Sequence, residues 1–280
     1  MDSDSLVVKD LVKTYGDRTV LGPVSFSIQR GQIVSLAGTN GAGKTTLLEI
    51  LSGERIPTSG KVSVFGRSPG PGSTAFLPQT LELFDNLTVE ENIRHFSTLS
   101  GSGDPEELMD IFSISDRADS RYGSLSGGLK QRVNVACIMC GDPEVILMDE
   151  PSTGMDPAVR ADVWDIIRKL KAQGVTVLLS THFLGEAKIN SDRIMVLDKG
   201  KIIYDGDPIG CGRNKITVTV KRTDLSDISG RFQFSVRGNN TVFTLDSPGS
   251  LNNLLNQLSA AGIDPDETAI TAEDDLGGIE

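Results

Sequence analysis

Directly after the apolar stretch 32–37 the chain reads Gly38-Thr39-Asn40-Gly41-Ala42-Gly43-Lys44-Thr45-Thr46. This string fits the pattern G-x-x-x-x-G-K-[ST], in which a glycine-rich loop opens a helix and turns backbone N–H groups toward phosphates. The lysine of the pattern reaches the β and γ phosphates, and the hydroxyl that follows it is a ligand for Mg²⁺. The order strand, loop, helix therefore predicts an α/β fold that binds a nucleotide through residues 38 and 40–46, with Thr45 on the metal.

A second apolar strand is predicted at 145–148, and it ends in Asp149 and Glu150. Where a strand ends, adjacent side chains can point to different sides, so Asp149 is predicted to hold Mg²⁺ while Glu150 polarises the attacking water. An acidic turn in solvent is the alternative for this pair. The P-loop elsewhere in the chain favours the catalytic interpretation.

Another glycine pair opens a predicted helix within Leu125-Ser126-Gly127-Gly128-Leu129-Lys130-Gln131-Arg132. The hydroxyl of Ser126 and the backbone N–H groups of Gly127 and Gly128 form a second anion-binding helix start. Since the P-loop already covers one side of the nucleotide, two such helix starts predict a site that is shared between two chains.

With this third motif the chain resembles the ATP-binding cassette family, the nucleotide-binding subunits of ABC transporters. The string Leu-Ser-Gly-Gly-x-x-Gln-Arg is the signature of that family, and the resemblance covers residues 5–207. It implies an ATPase that dimerises head to tail around two ATP·Mg²⁺, as a homodimer or with a paralogous subunit. Closure of that dimer on ATP would drive a separate integral membrane permease.

The resemblance also implies roles for four residues outside the three motifs. Tyr15 is expected to stack on adenine, and Gln79 to sense the γ-phosphate and Mg²⁺. Asp156 belongs to the loop that crosses to the other subunit, and His182 is the switch histidine. The implied catalytic residues are thus Glu150, His182 and Gln79, and the implied metal ligands are Thr45, Gln79 and Asp149.

The resemblance implies a P-loop NTPase of the ABC type, with an antiparallel β subdomain and a helical subdomain. Antiparallel strands are predicted near 6–12 and 20–28, and further strands at 61–65, 74–77, 145–148, 176–180 and 193–198. Helices are predicted at 44–51, 88–98, 105–112, 129–140 and 158–172.

The composition changes at Asp205-Gly206-Asp207-Pro208, which predicts a domain boundary near residue 211. We therefore expect an ATPase domain at 1–211 and a small α+β accessory domain at 212–280. Its predicted order of strand, helix, two strands, helix and strand indicates a ferredoxin-like unit. The strands are at 216–220, around the turn 238–240 and at 268–270, and the helices at 224–229 and 251–261. Such a domain resembles the ATPases of ABC-2-type exporters, which implies export.

Charge and composition exclude several other classes of protein. The net charge is −11, and residues 264–280 hold seven acidic and no basic residues, which predicts a solvated acidic end. Because the chain has no basic stripe with aromatic residues, nucleic acid is not an expected partner. No apolar run approaches the ~20 residues of a membrane span. The polar, acidic start has no features of a signal peptide, so a cytoplasmic protein is expected, peripheral to the membrane through its permease.

Three cysteines fit a reducing compartment better than a disulfide framework. Cys137 and Cys140 form a C-x-x-C, for which a redox pair or half a metal site is the functional alternative. No second C-x-x-C exists, so burial on a helix is the favoured interpretation.

The segment 79–112 is where the family contacts its membrane partner; packing within the helical subdomain is the alternative. Three other interpretations of the whole chain compete. A soluble cassette protein of ribosomes or DNA ends usually has paired cassettes or a coiled coil, which are absent here. A soluble iron–sulfur assembly ATPase fits the C-terminal domain less well. A regulator without turnover is opposed by the presence of both Glu150 and His182.

Overall fold

The computed structural model describes residues 4–70, 72–208, 211, 213–222, 225, 228, 232–245, 253–258, 261, 263 and 268–275. The chain forms two compact units, residues 1–209 and residues 210–280. The division lies close to the change of composition at 205–208. Within the described ranges, no helix is both long and apolar enough to cross a membrane.

Nine strands and six helices are described in unit 1, the residues up to 209. The strands are β1 (Asp4–Tyr15), β2 (Arg18–Gln29), β3 (Ile33–Ala37), β4 (Ser59–Val64), β5 (Thr74–Leu77), β6 (Val145–Met148), β7 (Thr176–Thr181), β8 (Arg193–Asp198) and β9 (Lys201–Gly206). The helices are α1 (Lys44–Ser52), α2 (Val89–Ser100), α3 (Pro105–Ile111), α4 (Gly127–Met139), α5 (Pro157–Ala172) and α6 (Leu184–Asn190). Two short 3₁₀ turns, Ser115–Arg117 and Tyr122–Ser124, precede α4.

The central sheet of unit 1 has the strand order β5-β6-β7-β3-β8-β9 in the described part of the chain, and only β9 runs antiparallel. All residues of β3, β6 and β7 are buried, as is usual for parallel strands that are covered on both faces. Since β3 and β6 are parallel to β7, their carboxyl ends open at one edge of the sheet. That edge receives both the glycine-rich loop and the pair Asp149-Glu150.

Alternation along β6 divides the core of unit 1 between the two faces of the sheet. Val145 and Leu147 pack with α1 and the strands β1 and β2, whereas Ile146 and Met148 pack with the helices α2–α5. The first face carries the antiparallel sheet β2-β1-β4, and the second carries the helical subdomain. Both predicted subdomains are therefore confirmed.

Local signals explain most element boundaries. Helix α2 starts in a capping box, in which Thr88 Oγ1 accepts from Glu91 N (3.1 Å) and Glu91 Oε2 accepts from Thr88 N (2.8 Å). Helix α4 starts at Gly127, two residues before its predicted start. The strand β9 and the helix α6 were not expected from the sequence.

Unit 2, residues 210–280, contains an antiparallel sheet. Its strands are β10 (Arg213–Val220), β11 (Gln233–Arg237), β12 (Asn240–Leu245) and β13 (Thr268–Asp275), in the order β11-β12-β10-β13. This is the strand order of a ferredoxin-like unit, and residues 253–258 form a helical segment between β12 and β13 as that fold requires. Of the predicted helix 224–229 only two residues lie within the described chain, and both are in the core: Leu225 and Ile228.

Strand β13 is longer than predicted. It pairs with β10 so that Glu273 is opposite Lys215 and Asp275 is opposite Arg213. The acidic residues 273–275 thus belong to a strand at the edge of the sheet. The expectation of a solvated acidic end stays a prediction.

Candidate nucleotide site

A cavity of about 780 Å³ lies at the carboxyl edge of the central sheet of unit 1. Its lining includes most of the predicted site, together with Thr39 of the same loop: Asn40, Gly41, Gly43, Lys44, Thr45, Thr46, Gln79, Glu150 and His182, joined by Arg18, Val20 and Thr153. The fold therefore brings together five segments of the chain.

The glycines of the loop have conformational reasons to be there. Gly41 and Gly43 have φ of 82° and 110°, in the left-handed region that favours glycine. A side chain at Gly38 is excluded because its Cβ would lie 2.4 Å from the carbonyl oxygen of Leu197. Helix α1 has no side-chain cap, so its first N–H groups are available to a phosphate.

Lys44 is held inside the loop that it is predicted to serve. Its side chain is 5% exposed, and Nζ donates to the carbonyl oxygens of Gly38 (2.8 Å) and Thr39 (3.2 Å). The same ammonium lies 3.3 Å from Glu150 Oε1. A phosphate group would meet a cation whose position is already fixed by three oxygen atoms.

Asp149 lies behind Thr45 and is buried, with 3% of its surface exposed. Thr45 Oγ1 donates to one carboxylate oxygen (2.6 Å), and Ser180 Oγ donates to the other (2.5 Å). Hydroxyl and carboxylate oxygens are the ligands that Mg²⁺ prefers, and Mg²⁺ commonly takes its other ligands from phosphates and water. The pair Thr45 and Asp149 therefore fits a Mg²⁺ that is shared with a nucleotide. Among the described residues, this site included, no group of three or more His, Cys, Asp and Glu side chains could hold a metal ion.

Glu150 has a left-handed backbone, with φ of 47°, which turns its side chain away from that of Asp149. Its N–H donates to Ser180 Oγ (2.9 Å), and its Oε2 accepts from Thr153 Oγ1 (2.9 Å) and lies 3.3 Å from His182 Nδ1. Burial raises the pKa of Glu150, but the hydrogen bond from Thr153 and the charges of Lys44 and His182 outweigh it, so the pKa is lowered overall. At neutral pH this carboxylate is ionised and can accept a proton.

Sequence reasoning missed four residues of the site. Ser180 bridges Asp149 and the backbone of Glu150, and Thr153 orients the Glu150 carboxylate. Thr153 is three residues beyond Glu150, a spacing at which a hydroxyl can reach back to a turn. Arg18 and Val20 line the cavity from β2, and only the hairpin that pairs Tyr15 with Arg18 brings β2 there.

Several predicted residues do not line this cavity. Tyr15 is 41% exposed at the end of the β1–β2 hairpin, with its ring 4.9 Å from Lys13 Nζ and 5.5 Å from Arg55 Cζ. Ala42 is buried beneath the loop. Ser126 and Gly127 are exposed and Gly128 is buried at the start of α4, and Asp156 is exposed before α5. Their roles in nucleotide binding stay predictions.

The C-x-x-C lies at the end of α4. Burial raises the pKa of both thiols, that of Cys140 to about 11. Thiols in this state are poor nucleophiles and poor metal ligands, which agrees with the structural interpretation of the pair.

Comparison with known proteins shows the family to which the chain belongs. Residues 21–153 match the protein family described as ABC transporter. The Nod factor export ATP-binding protein I of Burkholderia orbicola is 35% identical over 250 residues, which cover 78% of this chain and 82% of that protein. This chain belongs to the ABC transporter family. The Nod factor export ATP-binding protein I of Ralstonia nicotianae is 38% identical over 225 residues, 74% of this chain and 70% of that protein.

Solved structures of ABC proteins share the fold. The ADP conformation of an ATP-binding cassette of an ABC transporter has a TM-score of 0.68 and 25% identity, covering 73% of this chain and 91% of that chain. The ATP-binding subunit of an ABC transporter has a TM-score of 0.63 and 29% identity, covering 91% of this chain and 99% of that one. The second match is too long to be confined to unit 1. The chain is therefore an ATP-binding subunit of an ABC transporter and an ATPase, as its motifs predict.

Proposed function

We propose that this chain is the ATPase of an ABC-2-type exporter, acting at the cytoplasmic face of the membrane through a separate permease. Two copies, or one copy and a paralogue, close head to tail around two ATP·Mg²⁺. The export proteins among its relatives favour this function over a soluble iron–sulfur assembly ATPase. The observation that carries the proposal of a shared site is that Ser126, Gly127 and Gly128 do not line the nucleotide cavity.

That cavity contains one half of a composite site. The loop 39–46 and Glu150 line it, whereas Ser126 and Gly127 of the same chain are exposed elsewhere and do not. Both helix starts are suited to phosphate, but a single chain uses only one of them at this cavity. A second chain that presents Ser126-Gly127-Gly128 would close the cavity over the γ-phosphate.

Each residue of the cavity has a task in this mechanism. Lys44 binds the β and γ phosphates, and Glu150, ionised at neutral pH, takes the proton of the attacking water. Gln79 and His182 reach the same space and orient that water and the γ-phosphate. Mg²⁺, held by Thr45 and Asp149, would supply charge neutralisation on the phosphates.

A second cleft is suited to the permease. It has a volume of about 770 Å³ and lies among the end of α1, residues 69, 70, 72 and 74–76, and the last turns of α2 and α4. Leu99, on its wall, is 70% exposed. We place the permease contact at this cleft, with Leu99 as the exposed apolar side chain that the permease would cover.

Two connections join this cleft to the nucleotide cavity. Strand β5 begins in the cleft with Thr74 and leads to Gln79, which lines the nucleotide cavity. The buried Asn92 of α2 accepts from Phe84 N (3.0 Å) and donates to Phe84 O (3.1 Å), so it ties the segment after Gln79 to α2. A change in the position of Gln79 can therefore be transmitted to the second cleft, where we propose that the permease binds.

We also propose that residues 212–280 form an accessory domain, with the boundary after residue 211. All catalytic motifs lie before that boundary. The domain would modulate assembly and would not contribute to hydrolysis.

Affinity purification from detergent-solubilised membranes tests the proposal. The full chain should retain an integral membrane protein, and Leu99→Asp should lose it. Ile203→Asp, at a half-exposed position on β9, is the matched control and should retain it. Purification of soluble proteins alone would refute the exporter function, and equal recovery with Leu99→Asp would refute the docking surface.

A further inference from the structure

Strand β11 in unit 2 is an edge strand with two exposed apolar side chains. Of the described strands, β12 alone pairs with it. Phe234 is 44% and Val236 is 52% exposed, and both point to one face because they are two residues apart. Phe234 is paired with Phe243, which is fully buried, and their ring centroids are 6.2 Å apart. The apolar core of unit 2 thus continues to the open edge of the sheet.

Within the described residues, this edge also carries backbone groups that no other strand pairs with. The two-residue turn Gly238-Asn239 joins β11 to β12, with Arg237 paired to Asn240. Residues that flank a two-residue hairpin turn exchange hydrogen bonds, and the pattern alternates along the strands. Ser235 therefore bonds toward β12, while the N–H and C=O groups of Phe234 and Val236 point away from it.

The two edges of this sheet differ in charge. The outer strand β13 ends in Glu273, Asp274 and Asp275, and charges of this kind prevent edge-to-edge pairing. Strand β11 reads Gln-Phe-Ser-Val-Arg, with Arg237 as its only charged residue and no proline. One edge is protected against pairing, and the other is suited to it.

We propose that β11 pairs with β11 of a second copy of this chain, antiparallel and with Ser235 on the two-fold axis. In this register Phe234 lies opposite Val236 of the second copy, so the exposed apolar residues cover each other. The outward N–H and C=O groups of the same two residues are the ones that an antiparallel partner needs for its hydrogen bonds. The strand is self-complementary in both its side chains and its backbone.

For a contact between two copies, the charge distribution favours the β11 edge over the β13 edge. Each copy carries a net charge of −11, and seven of its acidic residues lie in 264–280. Pairing through β11 makes an eight-stranded sheet that places the two β13 strands at opposite ends, about 34 Å apart. Charges this far apart are screened, since the screening length is about 8–10 Å. Pairing through β13 would bring both acidic segments into contact.

The inference goes beyond the proposed ATPase cycle, because this pairing needs no nucleotide. A five-residue strand pair buries less than the roughly 1,200–2,000 Å² of a stable interface, so the contact is weak on its own. It would hold two copies together while the ATP sites are open, and so raise the local concentration for closure.

Disulfide trapping of the nucleotide-free full chain tests the register. The Cα atoms of the two Ser235 residues should be about 4.5 Å apart, within disulfide range. Those of the two Gln233 residues should be about 14 Å apart. Mild oxidation should therefore link Ser235→Cys into a dimer and leave Gln233→Cys a monomer. The parent, whose Cys137 and Cys211 are buried, gives the background. No dimer with Ser235→Cys, or equal dimer with both variants, would overturn the proposal.

Sedimentation equilibrium without nucleotide tests the association itself. Lysine at both exposed positions, Phe234→Lys with Val236→Lys, should weaken dimerisation at least about tenfold. Ile203→Lys, on the edge strand β9 of the other sheet and 40% exposed, should dimerise as the parent does. A monomeric parent, or equal association of all three proteins, would overturn the pairing. Circular dichroism checks folding, and if the double variant is unfolded the trapping result decides.

Discussion

Two glycine-rich helix starts of this ATPase have the same local chemistry and different surroundings. Helix α1 begins after Gly43 and helix α4 after Ser126, and neither start has a side-chain cap. The start of α1 lies in a cavity with a buried lysine and a paired glutamate. The start of α4 is exposed at Ser126 and Gly127. One phosphate-binding helix start thus lines a cavity of its own chain, and the other lies outside that cavity, where we propose that a second chain uses it.

The packing of the two helices explains part of this difference. At α4, a Cβ on Gly128 would lie 3.1 Å from Val159, so the glycine permits close contact with α5. Arg132, one turn later, forms an ion pair with Asp162 (3.4 Å). These contacts fix the direction of α4 and use no group of the anion-binding start. At α1, by contrast, Lys44 itself contacts the carbonyl oxygens of the loop and the carboxylate of Glu150.

Replacing Glu150, the proposed general base in the nucleotide cavity, should have the largest effect on turnover. Glu150→Gln keeps the shape of the side chain but cannot accept the proton of water, so turnover should fall by about 10²–10⁴-fold. ATP binding should be kept, and the variant should accumulate as an ATP-bound dimer on gel filtration. Glu107→Gln, on the exposed surface of α3, is the control for a lost carboxylate. Hydrolysis near the parental rate would place the base elsewhere.

Removing the cation at the α1 start should abolish tight ATP binding. Lys44→Ala deletes charge-assisted hydrogen bonds to the phosphates, and a loss of affinity of about 100-fold is expected. Titration calorimetry with Mg²⁺-ATP measures it, with the exposed Lys61→Ala as the control. Tight binding by Lys44→Ala would contradict the assignment of the loop.

Mixing variants tests whether the two helix starts belong to one site. Lys44→Ala and Ser126→Arg should each be inactive, while an equal mixture should recover roughly a quarter of the parental activity, from one intact site in each mixed dimer. Lys44→Ala mixed with Glu150→Gln is the control, since no intact site can form from those chains. A mixture as inactive as its parents would mean that the sites are not shared or that both must work.

The smallest expected effect is a pH dependence of the melting temperature that involves Glu150 and not the start of α4. Because the pKa of Glu150 is lowered from its ordinary value of 4.5, its ionised form stabilises the folded state above that pH. This contribution is lost as the pH falls through the lower pKa of the folded protein. The melting temperature of the parent should exceed that of Glu150→Gln at pH 7, by a margin that shrinks below pH 4.5. Ser126→Ala, at the other helix start, should show a margin that does not change with pH.

Much of the cavity could be predicted because its motifs are local. The loop 38–45 orients its own backbone N–H groups, and the apolar strand before Asp149 is a period-two pattern that a short segment carries by itself. Ser180 could not be found in this way. It is 31 residues from Asp149 in the sequence, and only the parallel pairing of β6 with β7 brings its hydroxyl to that carboxylate.

Prediction from local sequence has the same limit in unit 2, residues 210–280. The order of its predicted elements indicates a ferredoxin-like unit, but the acidic composition of 264–280 does not reveal that residues 273–275 belong to β13. Pairing with β10 places Glu273 opposite Lys215, a contact that no local pattern contains. The sequence of β11 likewise shows an apolar alternating strand without showing which strand is left at the edge.

The amino-acid sequence is enough to establish the family, the phosphate-binding loop and the acid–base chemistry, because each of these depends on residues that are neighbours along the chain or on one strand. Three other features depend on which distant segments pack together. They are the position of Tyr15 and of the α4 start outside the cavity, the hydroxyls that orient Asp149 and Glu150, and the open edge at Phe234. Those arrangements follow from the burial of the two faces of the central sheet and from the pairing of distant strands, which become fixed when the whole chain folds.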